Sequence, residues 1–163
     1  MFGSTLPIHP MVVHFPIVLA VLLPIVGLFA LWIGSATRRM GLAWFAFVGV
    51  SLMLMVSTYI AVETGEGDEE KVEKVVDNTF IETHAERAEI FIKLAAAMLV
   101  LSLVGFGPRR IGSIARGIAI VASFGIAAAA IGVGHSGGSL VFEHGAANAH
   151  IKGVTSPQDP PGN

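Results

Sequence analysis

Hydrophobic positions in this sequence fall into four long blocks separated by short polar stretches. The first covers about residues 11–33, and no charged side chain occurs anywhere from Met1 to Thr37. An α-helix of this length crosses a hydrocarbon core of about 30 Å at 1.5 Å per residue. Pro16 and Pro24 lie inside the block, and each frees a carbonyl one turn back, at Val12 and Ala20. Two helix starts fit. Pro10 can be the first helical residue, with Pro16 and Pro24 as kinks, or the regular helix can begin near Pro16 after an irregular lead-in over 9–14. The block does not resemble a secretion signal, because its arginines follow it and none precedes it.

The second block, about 42–62, is again uncharged. The pattern then changes. Residues 63–77 hold seven acids against Lys71 and Lys74. Val72, Val75 and Val76 recur at three- and four-residue spacing, which predicts a short amphipathic surface helix. Thr64-Gly65 and Gly67 are expected to end the second span before it. Two capping-box patterns follow, Thr79 with Glu82 and Thr83 with Glu86, and either can start a third span reaching about residue 106. Glu86, Arg87, Glu89 and Lys93 occupy its outer third, where long side chains snorkel to the interface. The fourth block, about 117–134, is rich in small residues. Gly125 with Ala129 and Ala130 with Gly134 permit close helix approach in lipid. The glycines from Gly134 onward predict a turn, then a short apolar piece.

Composition sharpens this pattern. The 163 residues suit one domain and are 53% hydrophobic and only 13% charged. The mean hydropathy is +0.73. The fold class expected is all-α: an integral membrane four-helix bundle with a short extramembrane surface helix. The transmembrane domain should cover 1–151 and a disordered tail 152–163. A net charge of -2 with no basic stripe excludes a nucleic-acid-binding class. The absence of cysteine excludes disulfides, iron–sulfur clusters, thiolate metal sites and covalent c-type haem attachment.

Charge also predicts topology. Short arginine-rich loops stay cytoplasmic, which puts Arg38, Arg39, Arg109, Arg110 and Arg116 inside. All twelve acids and the other five basic residues then lie outside, giving -7 outside and +5 inside, in agreement with the total of -2. Both termini are expected to face out. On this topology all six histidines, His9, His14, His84, His135, His144 and His150, belong to the outer end.

Ionisable groups at a membrane edge are functional candidates. Imidazole suits haem iron, copper, zinc and proton transfer. No two of these histidines have single-helix chelate spacing, so a site must be assembled from several helices. His14, His84, His135 and His144 are the expected members, for a haem or a metal, with His9 as a fifth. Structural hydrogen bonding of the same four remains an alternative. His150 is read as an ordinary exposed residue, and the acidic stretch as a solvated face.

The segments H-P-M-V-V-H-F-P from His9, E-T-G-E from Glu63, H-A-E from His84 and G-H-S-G-G-S-L-V-F-E-H-G from Gly134 carry a resemblance. They resemble an uncharacterised bacterial family of four-span membrane proteins, catalogued as a domain of unknown function. Its signatures are similar to HPxxVHFP and GHxGGxLVxxHG. The resemblance covers almost the whole chain except the tail and implies that His9, His14, His84, His135 and His144 are signature positions. Some relatives are joined to cytochrome-like domains, which implies haem b and electron transport. The expected function is a b-type cytochrome-like electron carrier with an outward-facing histidine site. Its partner would be a cytochrome or other redox protein on the outer face, or a larger complex or oligomer. A copper- or zinc-binding or metal-transport protein and a structural subunit of a membrane complex are the alternatives. An electron carrier or binding subunit is expected rather than a stand-alone enzyme.

The topology is directly testable. Single cysteines at Ser35 and Ser113 should be shielded from an impermeant thiol reagent applied to intact cells, while one at Ser156 should react. Labelling of the first two would overturn the orientation.

Overall fold

A computed structural model describes residues 8–150. The expected disordered tail at 152–163 lies outside the described residues. The chain folds into helices α1 (His9–Val12), α2 (His14–Thr37), α3 (Met40–Val72), α4 (Asn78–Val104) and α5 (Arg109–Phe142), followed by a 3-10 turn, Ala146–His150. Each long helix packs on the next, and α5 closes the ring on α2. The diagonal pairs, α2 with α4 and α3 with α5, do not approach one another. With short connections between successive helices, this is an up-down-up-down four-helix bundle.

Residues turned inward recur at alternating three- and four-residue steps. On α3 they are Trp44, Phe47, Ser51, Leu54, Thr58 and Ala61. That is the narrow seam of a coiled-coil-like contact. Much of the seam is small: Ala20, Gly27 and Ala30 on α2, and Ala115, Ala119, Ser123 and Ala130 on α5. A Cβ at Gly27 would stand 2.9 Å from both Ile120 and Phe47, so the backbone of α2 lies directly against its neighbours. Large apolar side chains fill the core where it is wider, at Leu23, Trp44, Phe47, Leu54, Phe91 and Met98, but many more of them point outward, among them Trp32 at 67% and Val121 at 74% exposure. A bundle with small residues along its seams and so many large apolar residues on its outer surface is solvated by lipid. Helices 9–37, 40–72 and 109–142 are each long and apolar enough to cross a membrane. Helix α4 carries charge in its first half and is charge-free from Leu94.

Buried hydroxyls are satisfied within their own helices. Ser51 donates to Phe47 O, Thr58 to Leu54 O, Ser102 to Leu99 O and Ser123 to Ile120 O. Among the described residues no buried side-chain polar atom lacks a partner. At the arginine end, Trp44 is fully buried, stacks on Phe47 with centroids 4.4 Å apart, and donates its indole N–H to Ser102 O at 2.8 Å. The turn after α4 is drawn in beneath it, and Arg116 donates to Gly105 O across that turn.

Several element boundaries differ from expectation. The chain is already helical at Pro10, as in the first of the two starts, with a joint at Val13. Pro16 offers no N–H to Val12, and the neighbouring Ile17 N–H bond to Val13 O is long, at 3.5 Å. Helix α3 does not stop at Thr64-Gly65 or Gly67 but runs on to Val72, so among the described residues the expected surface helix is not a separate element. The valines of that stretch, Val72 at the end of α3 and Val75 and Val76 beyond it, still bury apolar surface. Val76, with Val72 and Val75 packed around, forms a second apolar cluster with Ile81, Leu140 and Ala146. Helix α4 is capped by neither threonine. The Asp77 carboxylate accepts the Thr79 N–H at 2.9 Å. That bond holds its carboxyl below the ordinary aspartate range, so the cap is charged at neutral pH. Helix α5 likewise passes through Gly134, Gly137 and Gly138 and ends at Phe142; the positive φ of 74° falls at Gly145.

Gly105 supplies a stability test. A Cβ there would collide with Trp44 Nε1, whereas one at Gly49 meets nothing within 4 Å. Gly105→Ala should lower the thermal unfolding midpoint in detergent by an amount equivalent to about 1–3 kcal/mol, the cost of overpacking a core. Gly49→Ala should be neutral or slightly stabilising. Equal midpoints for the two variants would refute this account of the Trp44 contact.

Candidate functional site

All six histidines lie toward the end of the bundle opposite the arginine turns, on the first turns of α1, α2 and α4, the last turns of α5, and the segment after it. Two of them meet. His9 on α1 and His84 on α4 have ring centroids 6.4 Å apart with planes at 80°. They come from diagonal positions of the ring of helices, so the imidazoles span a distance that the α2 and α4 backbones do not.

Each ring is fixed by a helix beside it. His9 Nδ1 lies 2.9 Å from Ala61 O and 3.3 Å from Thr64 Oγ1, both on α3. A carbonyl oxygen only accepts, so Nδ1 carries the proton. His84 Nδ1 lies 2.8 Å from Ser136 Oγ on α5. The Ser136 hydroxyl already donates to Val133 O at 2.9 Å, so it accepts from His84, whose Nδ1 is again the protonated nitrogen. Both neutral imidazoles therefore keep a bare Nε2 lone pair. This is the tautomer in which a histidine ligates iron, copper or zinc while its other nitrogen donates to a second group.

Two glycines make room for the rings. A Cβ on Gly65 would stand 3.0 Å from His9 Cε1, and one on Gly137 would stand 3.1 Å from His84 Cε1. Each imidazole thus rests on the bare backbone of a helix. These are the glycines of E-T-G-E and G-H-S-G-G-S. They sit in helices because close approach, not a turn, is what they provide.

The remaining expected members are placed differently. His14 and His135 are exposed on α2 and α5. His144 stacks on Phe80 with centroids 3.7 Å apart and planes at 18°. Among the described residues no group of three or more His, Cys, Asp or Glu side chains is arranged to hold a metal ion. The four-histidine convergence expected from sequence is therefore not what the structure presents. It pairs His84 with His9, the residue ranked fifth. Ala61 O, Thr64, Ser136 and the two glycine seats are not among the expected site residues. Their signal was present in glycines lying within stretches that otherwise read as helix, since an interior glycine is costly unless a close approach requires it.

The architecture defines a class: an all-helical membrane bundle with an imidazole pair at one end. The chain belongs to the family described as a predicted membrane protein, DUF2231, whose model matches residues 5–150. No curated protein and no solved structure matches it.

Two measurements test this geometry. The ¹⁵N shifts of His9 and His84 in the metal-free protein should report protonated Nδ1 and unprotonated Nε2. Gly65→Ala and Gly137→Ala should each mix the tautomers or move the ring signals of the adjacent histidine alone. Spectra indifferent to both changes would remove the glycine seats.

Proposed function

We propose that the protein is a membrane electron carrier that holds a b-type haem between His9 and His84. The observation that carries this reading is a pair of neutral imidazoles, each with a free Nε2, brought together from opposite helices of a membrane bundle. Haem iron takes four ligands from its macrocycle and needs two from the protein. A structural zinc needs four protein ligands and a catalytic one three, while no group of three is found among the described residues. The donor set thus fits haem in number and chemistry. His9 and His84 would hold the iron through Nε2, while Ala61 O and Ser136 Oγ fix the rings and keep both nitrogens basic. When bound, the group supplies one-electron redox chemistry. The charge pattern supports an outward-facing site with both termini outside, and we place it in a bacterial plasma membrane, with a cytochrome or similar redox protein as partner on that face.

A second reading has its own support. The imidazoles lie tightly against Gly65 and Gly137, and a single copper ion between two nitrogens needs far less room than a macrocycle. Copper accepts imidazole ligands readily.

Absorption spectroscopy after expression with ample haem separates the two. A Soret band should appear, with a reduced-minus-oxidised difference. It should be lost or strongly shifted in His9→Ala and in His84→Ala, and kept in His14→Ala, His135→Ala and His150→Ala. A colourless protein carrying one equivalent of copper that both His9→Ala and His84→Ala abolish would establish the second reading. Full colour in His9→Ala and His84→Ala would sink the haem assignment.

A further inference from the structure

We propose that the cleft between α4 and α5, one turn inward of His84, binds the headgroup of a membrane quinone. This rests on the electron-carrier reading, for which it supplies a redox partner within the bilayer that accepts electrons as the quinone and donates them as the quinol. The cleft has a volume of about 230 Å³ and is lined by Arg87, Ile90, Phe91, Ala129, Gly132 and Val133. A Cβ on Gly132 would meet nothing within 4 Å, so space is open where a side chain would stand. Phe91 is 4% exposed and forms an aromatic floor, while Ile90, 57% exposed, lies at the outward rim. The mouth therefore opens sideways, to the same surroundings as the lipid-facing side chains.

Arg87 gives the cleft its polarity. Among the described residues the ion pairs are Lys71 with Asp68 and Lys93 with Glu89, and Arg87 is in neither. Its guanidinium has five N–H donors and no acceptor. A ligand that uses it must present acceptor oxygens, be apolar elsewhere, and arrive through lipid. The volume is below the roughly 300 Å³ of pockets that enclose a whole small molecule, so a headgroup enters and its tail stays in the bilayer. An anionic phospholipid also offers acceptors, but Glu82 and Glu86 stand on the same helix, Glu89 being offset by Lys93, and the acidic end of α3 lies beyond. Those carboxylates repel an anion and leave a neutral quinone carbonyl unaffected.

The cleft also connects to the imidazole pair. Val133, in its wall, accepts the Ser136 hydroxyl through its carbonyl, and Ser136 accepts from His84 Nδ1. The headgroup would lie one helical turn from a proposed iron ligand.

The test is photolabelling of the purified full chain in phosphatidylcholine nanodiscs with a short-tailed azidoquinone, followed by peptide mapping. Label is expected within residues 87–91 and 129–133. Arg87→Gln should reduce it about tenfold, the effect of losing one charge-assisted hydrogen bond. Gly132→Leu should reduce it as far by filling the open space, and Gly132→Ala less; circular dichroism verifies that each variant is folded. Label on other helices, or label undiminished in Arg87→Gln and Gly132→Leu, overturns the site. Displacement by an equimolar amount of phosphatidylglycerol overturns it in favour of an anionic lipid. Label in the cleft of a protein with no Soret band would leave the quinone site standing and remove the electron-carrier reading. A coloured protein that takes no label would do the reverse.

Discussion

Helices surrounded by lipid gain nothing from hiding apolar surface, because the tails outside are as apolar as the side chains inside. What remains to hold this bundle is close approach, and small residues along the seams provide it. Gly27 brings α2 onto Phe47 and Ile120, and Gly105 lets the indole of Trp44 lie on the turn after α4. The buried serines and threonines are compatible with that closeness because each donates to its own helix and leaves no group unpaired. The large side chains that are buried, Trp44 and Phe47 among them, lie against glycines, and most of the others face outward.

The same constraint shapes the histidine end. An imidazole is polar, and leaving it unpaired near lipid costs roughly 1–3 kcal/mol. His9 and His84 avoid this by donating to α3 and α5, the two helices between which they lie. Each bond links neighbouring elements of the ring, and the two rings then meet across its diagonal. Side chains thus connect α1 and α4 at one end, where backbone packing alone does not. The second apolar cluster, Val76 with Ile81, Leu140 and Ala146, ties the α3–α4 turn to the end of α5 at the same level. The pair is held by the structure whether or not it holds a ligand.

Much of this fold was legible in the amino-acid pattern. Four apolar blocks, two arginine turns and one acidic segment fix the helix order and the gathering of the histidines at one end, because these depend on hydrophobicity and charge summed over many residues. Helix ends and the identity of the pair were less legible, because they depend on single contacts between distant segments. Which of Thr79, Thr83 and Asp77 caps α4 turns on one backbone conformation. His9 beside Pro10 looks like a helix-start residue until Ala61 O, far along the chain, is known to lie within 2.9 Å of it.

The glycines show why local rules misled here in a consistent direction. Gly65 with Gly67, and Gly134 with Gly137 and Gly138, form clusters that in water usually end a helix. At the edge of a bilayer, breaking a helix exposes carbonyls and N–H groups to a poor solvent, so continuing it is favoured. Glycine's weak helix propensity, about 1 kcal/mol against alanine, is smaller than the cost of even one unpaired backbone group in such surroundings. The helices therefore run on, and at Gly65, Gly134 and Gly137 the missing side chains let a neighbour approach, while a Cβ at Gly67 or Gly138 would meet nothing. At Gly65 and Gly137 that neighbour is an imidazole, and at Gly132 the space is open. A glycine inside a membrane helix is thus better interpreted by asking what lies opposite it than by asking where the chain turns.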